Sequence, residues 1–203
     1  MLRVALVLVC LLGAGCTVSG SRSATDNQEV VARAVELGIA YLRQGDTLRA
    51  KENIHKALDV DPRSPEAHAS LALVFQQEQE WTLAESHFEK AIALDPKNSA
   101  ARNNFGAFLF AQGRAEEAIA QLQVAVSDPF YVRRGQAFEK ARVLDARLDQ
   151  LGSLSSRRLL LCGLVAHHFS DEARAQDCYA AMKKRYPRTD DAKRLGDLVE
   201  ERT

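Results

Sequence analysis

A period of 34 residues runs through the middle of the chain and limits what the chain can fold into. Two sets of small residues recur at this spacing: Gly38, Ala72 and Gly106, and Ala50, Ala84 and Ala118. Two sets of larger, mostly apolar residues recur in the same way: Tyr41, Phe75 and Leu109, and Ile54, Phe88 and Leu122. A unit of this length buries its apolar face only by stacking on the next copy. The period therefore predicts a solenoid.

Each unit reads as two antiparallel helices, because its apolar residues recur at the helical period. Small residues at matched positions let the two helices approach closely, and the larger residues fill the space around them. Gly45 and Gly113 are predicted to turn the chain between paired helices. Asp61 and Asp95 are predicted to end second helices, because each precedes a proline and that position disfavours helical dihedrals.

This pattern of small and aromatic residues resembles the tetratricopeptide repeat (TPR), which implies an all-α fold, a right-handed superhelix of helical hairpins. We expect the solenoid to occupy residues 29–203. The distance from Gly106 to Gly163 is 57 residues where two repeats would need 68, so one intervening unit is short by eleven. The predicted units are repeats at 31–64, 65–98 and 99–131, a degenerate unit at 132–155, a repeat at 156–188 and a polar capping helix at 189–201.

The first residues resemble an export signal. Residues 1–3 are a short cationic start, residues 4–12 are an unbroken apolar run, and small residues then lead to Cys16. Nine apolar residues are too few to span a bilayer, which takes about 20, so we predict a signal peptide at residues 1–15. Residues 12–16 (LGAGC) resemble the lipobox of bacterial lipoproteins, in which the cysteine is acylated and becomes the new amino terminus. Gly13 departs from that pattern, because the lipobox usually has leucine at this position.

Lipidation of Cys16 is favoured over the alternative, an ordinary secretory signal cleaved near a cysteine. Residues 16–28 are polar and lack a periodic apolar face, so we predict a lipidated, flexible tether. Thr17 stands where an aspartate would indicate retention in the inner membrane, by resemblance to Gram-negative sorting. The expected location is therefore the outer membrane, with the chain facing the periplasm.

Composition excludes several classes of function. The 27 Lys and Arg balance 27 Asp and Glu, which argues against a nucleic-acid partner held through its phosphates. The four cysteines have no Cys-x-x-Cys spacing, and the five histidines form no metal or catalytic constellation. His167 and His168 are adjacent, so on a helix they point about 100° apart. We expect no enzyme, no cofactor and no metal.

A narrower resemblance lies in the third unit and the tail. Residues 103–106 (NNFG), 128–131 (DPFY), 159–163 (LLLCG) and 183–187 (KKRYP) resemble the PilW/PilF family of type IV pilus biogenesis/stability lipoproteins. The resemblance covers about residues 10–190. It implies a pilotin, an outer-membrane-anchored adaptor that helps the type IV pilus secretin to reach that membrane and assemble into its ring.

The family has a fuller set of repeats between the DPFY segment and the tail. The sequence therefore does not predict whether this chain forms a partner surface in that region. The alternative function is an envelope TPR lipoprotein that scaffolds another complex, such as a peptidoglycan synthase, because the repeat pattern alone names no partner.

The concave wall of such a solenoid is built by the first helix of each pair. A basic set that clamps a peptide carboxylate is missing from this wall, so a groove for a hydrophobic strand or helix is favoured. Asn103 and Asn104 either bond a peptide backbone or satisfy helix ends, and some of the apolar positions only pack neighbouring helices under the alternative reading. The predicted lining residues are Val35, Ile39, Leu42, Ala69, Leu73, Gln76, Asn103, Ala107 and Phe110.

Two further features leave alternatives. Cys162 and Cys178 face each other across the last helical pair, where a disulfide is one outcome and two small buried thiols are the favoured one. Trp81 lies between the helices of the second repeat, either as an exposed contact residue or, more commonly, as a cap over the core.

Overall fold

The computed structural model describes residues 24–150, 152 and 155–200, and all regular secondary structure among these residues is helical. The predicted all-α fold is confirmed. The ten helices of this part of the chain are α1 (Ala24–Arg43), α2 (Thr47–Val60), α3 (Pro65–Gln77), α4 (Trp81–Leu94), α5 (Ser99–Ala111), α6 (Ala115–Ser127), α7 (Arg134–Gln150), α8 (Ser156–His168), α9 (Glu172–Arg185) and α10 (Asp190–Glu200).

The signal peptide, Cys16 and the first part of the tether lie outside the described residues. Residues 24–28, which we assigned to the tether, are helical instead, because α1 begins at Ala24. Across the described ranges, none of the helices has the length and apolar content needed to cross a bilayer.

The first six helices form three antiparallel hairpins, α1 with α2, α3 with α4, and α5 with α6. Each first helix also packs on the next first helix, so α1, α3 and α5 lie side by side and form one face of the stack. The second helices α2 and α4 contact the first helix of the following hairpin. This arrangement places the predicted concave wall on a single surface.

Small residues set the distance between paired helices. A Cβ atom at Gly38 would lie 2.6 Å from Cγ1 of Ile54, and one at Gly106 would lie 2.8 Å from Cγ of Leu122. Carbon atoms in contact need about 3.5–4.0 Å, so a larger residue at either position would push the helices apart. Ala72 occupies the equivalent position in the second hairpin and is fully buried.

Each hairpin turn contains one residue with positive φ. Gly45 (φ 83°) and Gly113 (φ 77°) adopt it as predicted turn residues. Gln79 (φ 63°) and Ser170 (φ 59°) adopt the same conformation in the α3–α4 and α8–α9 turns. Glycine reaches this left-handed region without a steric penalty, whereas Gln79 and Ser170 are held there by the helices on either side.

The degenerate unit contributes one helix, α7, where a full repeat has two. α7 packs on α5 and α6, in the place of the next first helix. α8 then packs on both α6 and α7, and α10 covers α8 and α9. Gly163 consequently serves a different contact from the other small residues, because a Cβ there would overlap the Leu195 side chain of α10.

A network of charged residues joins the helices at this irregular junction. Nε of Arg158 lies 3.0 Å from Oδ1 of Asp145, and Nη2 of Arg158 lies 2.5 Å from Oδ1 of Asp149. Nη2 of Arg174 lies 2.6 Å from Oδ2 of Asp145. The side chains of Arg158 and Asp145 are 4% and 3% exposed, so their charges are buried against each other. The network connects α7, α8 and α9.

Cys162 of α8 and Cys178 of α9 form a disulfide, with their Cα atoms 6.2 Å apart. This corrects our preference for two free thiols. The two residues occupy equivalent positions of paired helices, and that Cα distance lies in the range usual for disulfides, roughly 4.4–6.8 Å. The bond ties the two helices of the last hairpin together.

Trp81 begins α4 and is 43% exposed. Its ring centroid lies 6.4 Å from that of Phe108, a buried residue of α5. One side of the indole therefore covers the core between two hairpins while the other side faces solvent. This geometry matches the capping role.

His68 and His87 form a hydrogen-bonded pair between α3 and α4. Nε2 of His68 lies 3.1 Å from the carbonyl oxygen of Pro62, so this nitrogen carries the proton and donates. Nδ1 of His68 then accepts from Nδ1 of His87 at 3.1 Å. Burial lowers the pKa of both residues, and burial together with the neighbouring His68 lowers the pKa of His87 to about 4.

Replacing Asp145 by alanine is expected to lower the free energy of unfolding by about 3 kcal/mol, because it removes the buried carboxylate beside Arg158 and leaves that guanidinium only the more exposed Asp149 as a partner. Glu139→Ala is the control, since its pair with Arg142 is more than half exposed and contributes about 0–1 kcal/mol. Urea denaturation followed by circular dichroism measures both. Equal losses for the two variants would contradict the role given to the buried pair.

The histidine pair predicts acid sensitivity. Unfolded histidines have a pKa near 6.5 and folded His87 one of about 4, so the unfolded chain binds more protons between these values. The free energy of unfolding therefore falls as the pH is lowered from about 6.5 to about 4, by on the order of 2 kcal/mol after allowance for the partial exposure of His87.

The variant His87→Gln should flatten this part of the stability profile, measured by urea denaturation at each pH. His55→Gln, at an exposed position of α2, should change the profile far less, because the charge of His55 is the smallest of the causes that lower the pKa of His87. An unchanged profile for His87→Gln would contradict the assignment.

Candidate protein-binding surface

The aligned first helices form a trough with a volume of about 760 Å³. We call this cavity the α1–α3–α5 trough. Asn104 lies in it, and charged residues of both signs, among them Arg43 and Glu66, stand along its walls. Five of the nine predicted lining residues are present in it: Val35, Ile39, Leu42, Ala69 and Leu73.

The other four predicted residues lie elsewhere. Asn103 is only 2% exposed, and its Nδ2 donates to the hydroxyl oxygen of Tyr131 at 3.2 Å. Gln76 is half-buried and lines neither this trough nor the second pocket described below. Ala107 and Phe110 line that second pocket instead. Asn103 thus supports the surface from beneath, which corrects its predicted place in the groove.

A loop at residues 128–133 forms a wall of the trough that the helix pattern did not reveal. The hydroxyl of Ser99 donates to Oδ2 of Asp128 at 2.6 Å, and the Phe130 N–H donates to Oδ1 at 2.9 Å. Both hydrogen bonds lower the pKa of Asp128, and the bond from Ser99 is the larger cause. The carboxylate therefore stays ionised and holds the start of the loop to α5.

The remainder of the loop is held as well. Nε of Arg134 donates to the carbonyl oxygen of Val126 at 2.7 Å, and Tyr131 is half-buried over Asn103. Burial raises the pKa of Tyr131, so its hydroxyl stays protonated at neutral pH. The side chains of Phe130 and Val132 are left 90% and 98% exposed. Because the backbone of this loop is already held, a partner that covers the two side chains does not have to order the loop itself.

A second cavity of about 290 Å³ lies between α5 and α7. We call it the α5–α7 pocket. It occurs at the shortened unit, where the sequence did not predict whether a partner surface forms. Its lining residues are Ala107, Phe110, Leu122, Glu139, Lys140 and Val143.

No group of three or more His, Cys, Asp or Glu side chains in the described ranges is placed to hold a metal ion. His168 stacks on the ring of Phe138, with centroids 3.7 Å apart. The trough combines an apolar floor with scattered polar groups, an arrangement that suits a peptide segment with apolar side chains on one face.

Comparisons with known proteins agree with this geometry. Residues 35–98 and 75–129 match two models of the tetratricopeptide repeat. The sequence is 40% identical over 153 residues to the type IV pilus assembly protein PilF of Pseudomonas aeruginosa. That alignment covers 73% of this chain and 61% of PilF, so the chain spans less than two thirds of the length of that relative.

Solved structures show the same relation. The structure of Pseudomonas aeruginosa PilF has a TM-score of 0.53 and 30% identity, covering 84% of this chain and 98% of that chain. The crystal structure of PilW, a widely conserved type IV pilus biogenesis factor, has a TM-score of 0.50 at 21% identity, with 82% and 98% covered, and shares the fold. The chain belongs to the PilF/PilW family of tetratricopeptide-repeat proteins of type IV pilus biogenesis.

Proposed function

We propose that this chain is a pilotin, an outer-membrane lipoprotein that promotes localisation of the type IV pilus secretin to the outer membrane and its assembly into a multimer. The observation that carries the proposal is the 40% identity to PilF, a type IV pilus assembly protein, over 153 residues. The α1–α3–α5 trough supports it, because an adaptor needs a surface that holds a segment of another protein.

The proposed mechanism requires no bond chemistry. A segment of the secretin, extended or helical, lies in the trough with its apolar side chains against Ile39 and Leu73. Phe130 and Val132 cover the segment from the edge. Because the helices and the loop are already held in place, most of the ordering cost falls on the bound segment alone.

The lipid on Cys16 supplies the membrane address in this proposal. Each buried lipid methylene contributes about 0.8 kcal/mol, so three acyl chains make attachment effectively permanent. The tether then keeps the trough within reach of the membrane surface, which raises its effective concentration for secretin subunits that arrive there.

Deleting the gene is expected to abolish twitching motility and to leave the secretin monomeric. The state of the secretin is measured by gel electrophoresis of unheated envelope samples, followed by immunoblotting. Complementation with Ile39→Asp plus Phe130→Ser should reduce secretin multimers at least fivefold, because the variant places a charge in the trough and removes an exposed ring.

Leu83→Asp is the matched control, since it adds the same charge to an exposed leucine of α4 that is absent from the trough lining. It should restore the multimers. Secretin rings at normal abundance in the deletion strain would overturn the pilotin proposal and favour another envelope complex.

The membrane address has its own test. Metabolic labelling with palmitate should mark the wild-type protein and fail to mark Cys16→Ser, because the thiol is the proposed site of acylation. Cell fractionation should then find the variant in the periplasm instead of in the outer membrane. Label that persists in Cys16→Ser would remove the lipobox argument.

A further inference from the structure

α7 carries two separate sets of side chains. Its buried positions pack on the neighbouring helices, and they are Ala137, Phe138, Ala141, Leu144, Asp145 and Leu148. Lys140, Val143 and Arg147 follow one another at spacings of three and four residues, which places them on one stripe of the helix. This stripe runs along the side of α7 that faces α5.

The α5–α7 pocket opens beside this stripe. Ala107 and Phe110 form the α5 wall, Leu122 lies at the bottom, and Val143 forms the α7 wall. Val143 is 52% exposed although it stands against an apolar cavity. The volume of about 290 Å³ is at the small end of ligand sites, which begin near 300 Å³, so the pocket suits one bulky apolar side chain.

Two cationic side chains, Lys140 and Arg147, lie at this pocket. Lys140 is half-buried, and burial, followed by the like charge of Arg133, lowers its pKa. The guanidinium carbon of Arg147 lies 6.0 Å from the ring centroid of Phe110. No carboxylate of the described residues lies within 4.0 Å of the charged nitrogens of these three cations.

Glu139, the acidic residue that lines the pocket, forms its ion pair with a different cation. Glu139 is directed to Arg142, with 3.0 Å between Oε2 and Nη2. A half-buried ammonium beside a second cation gains more from an added carboxylate than an ammonium in bulk water does, because less solvent screens the interaction.

We propose that the α5–α7 pocket binds an acidic segment of a partner protein, taking up one bulky apolar side chain while an adjacent aspartate or glutamate pairs with Lys140. The inference rests on the proposed role of the chain as a protein adaptor, and it identifies a second contact besides the α1–α3–α5 trough. The pocket lies at the shortened unit, where α7 packs beside α5.

The test uses two small probes, N-acetyl-Phe-Asp-amide and N-acetyl-Phe-Asn-amide, added to the full-length chain carrying Cys16→Ser in detergent. Methyl NMR should show saturable shifts at Ala107 and Val143, with the Asp probe binding at least fivefold more tightly than the Asn probe. Higher salt should reduce this preference, because the carboxylate contact is electrostatic.

Variants separate the charge from the cavity. Lys140→Met keeps the length of the side chain and should abolish the preference for the Asp probe, and Lys140→Arg should keep it. Lys193→Met, at an exposed position of α10, is the control and should change nothing. Equal binding of the two probes, or shifts confined to residues away from α5 and α7, would overturn the proposal.

The probes need no secretin, so the two proposals fail separately. Loss of the Asp preference would remove the pocket assignment and leave the pilotin proposal standing. Secretin assembly that persists without the protein, together with an intact Asp preference, would leave the pocket and remove the secretin as its partner.

Discussion

In the first three hairpins the paired helices touch at a small residue, and the rest of the structure depends on that contact. Gly38 faces Ile54 and Gly106 faces Leu122 with no space for a Cβ atom between them. Because the paired helices lie this close, the first helices stand side by side at a short spacing and expose a continuous face. The α1–α3–α5 trough is that face, so the proposed binding surface is a consequence of packing on the opposite side of the same helices.

The loss of one helix in the fourth unit is compensated by interactions of another kind. α8 is buried over nine consecutive residues, from Arg158 to Ala166, and brings a charge into the interior. Asp145 forms an ion pair with Arg158, and the disulfide between Cys162 and Cys178 joins α8 to α9. Removing water from two charges is costly, so such a pair adds little net stability, although removing one of its partners is strongly destabilising.

The loop at residues 128–133 links the fold to its proposed use. Ser99 and Asn103 of α5 hold Asp128 and Tyr131, so residues of a first helix position a wall that lies outside any helix. Phe130 and Val132 are thereby kept exposed on a fixed support. Burial of such side chains by a partner contributes hydrophobic free energy without the cost of ordering a mobile loop.

The sequence by itself determined the repeating part of this protein. The 34-residue period predicted the hairpins, the turns at Gly45 and Gly113, and five residues of the trough, because these depend on contacts that each unit repeats. Asp61 and Asp95 end their helices with extended backbone, as the following prolines indicated. Only the tertiary structure decided the place of Asn103, the single helix α7, the pairing of Asp145 with Arg158, and the α5–α7 pocket. These depend on residues from different units that follow no period, so no local pattern in the sequence records which of them meet.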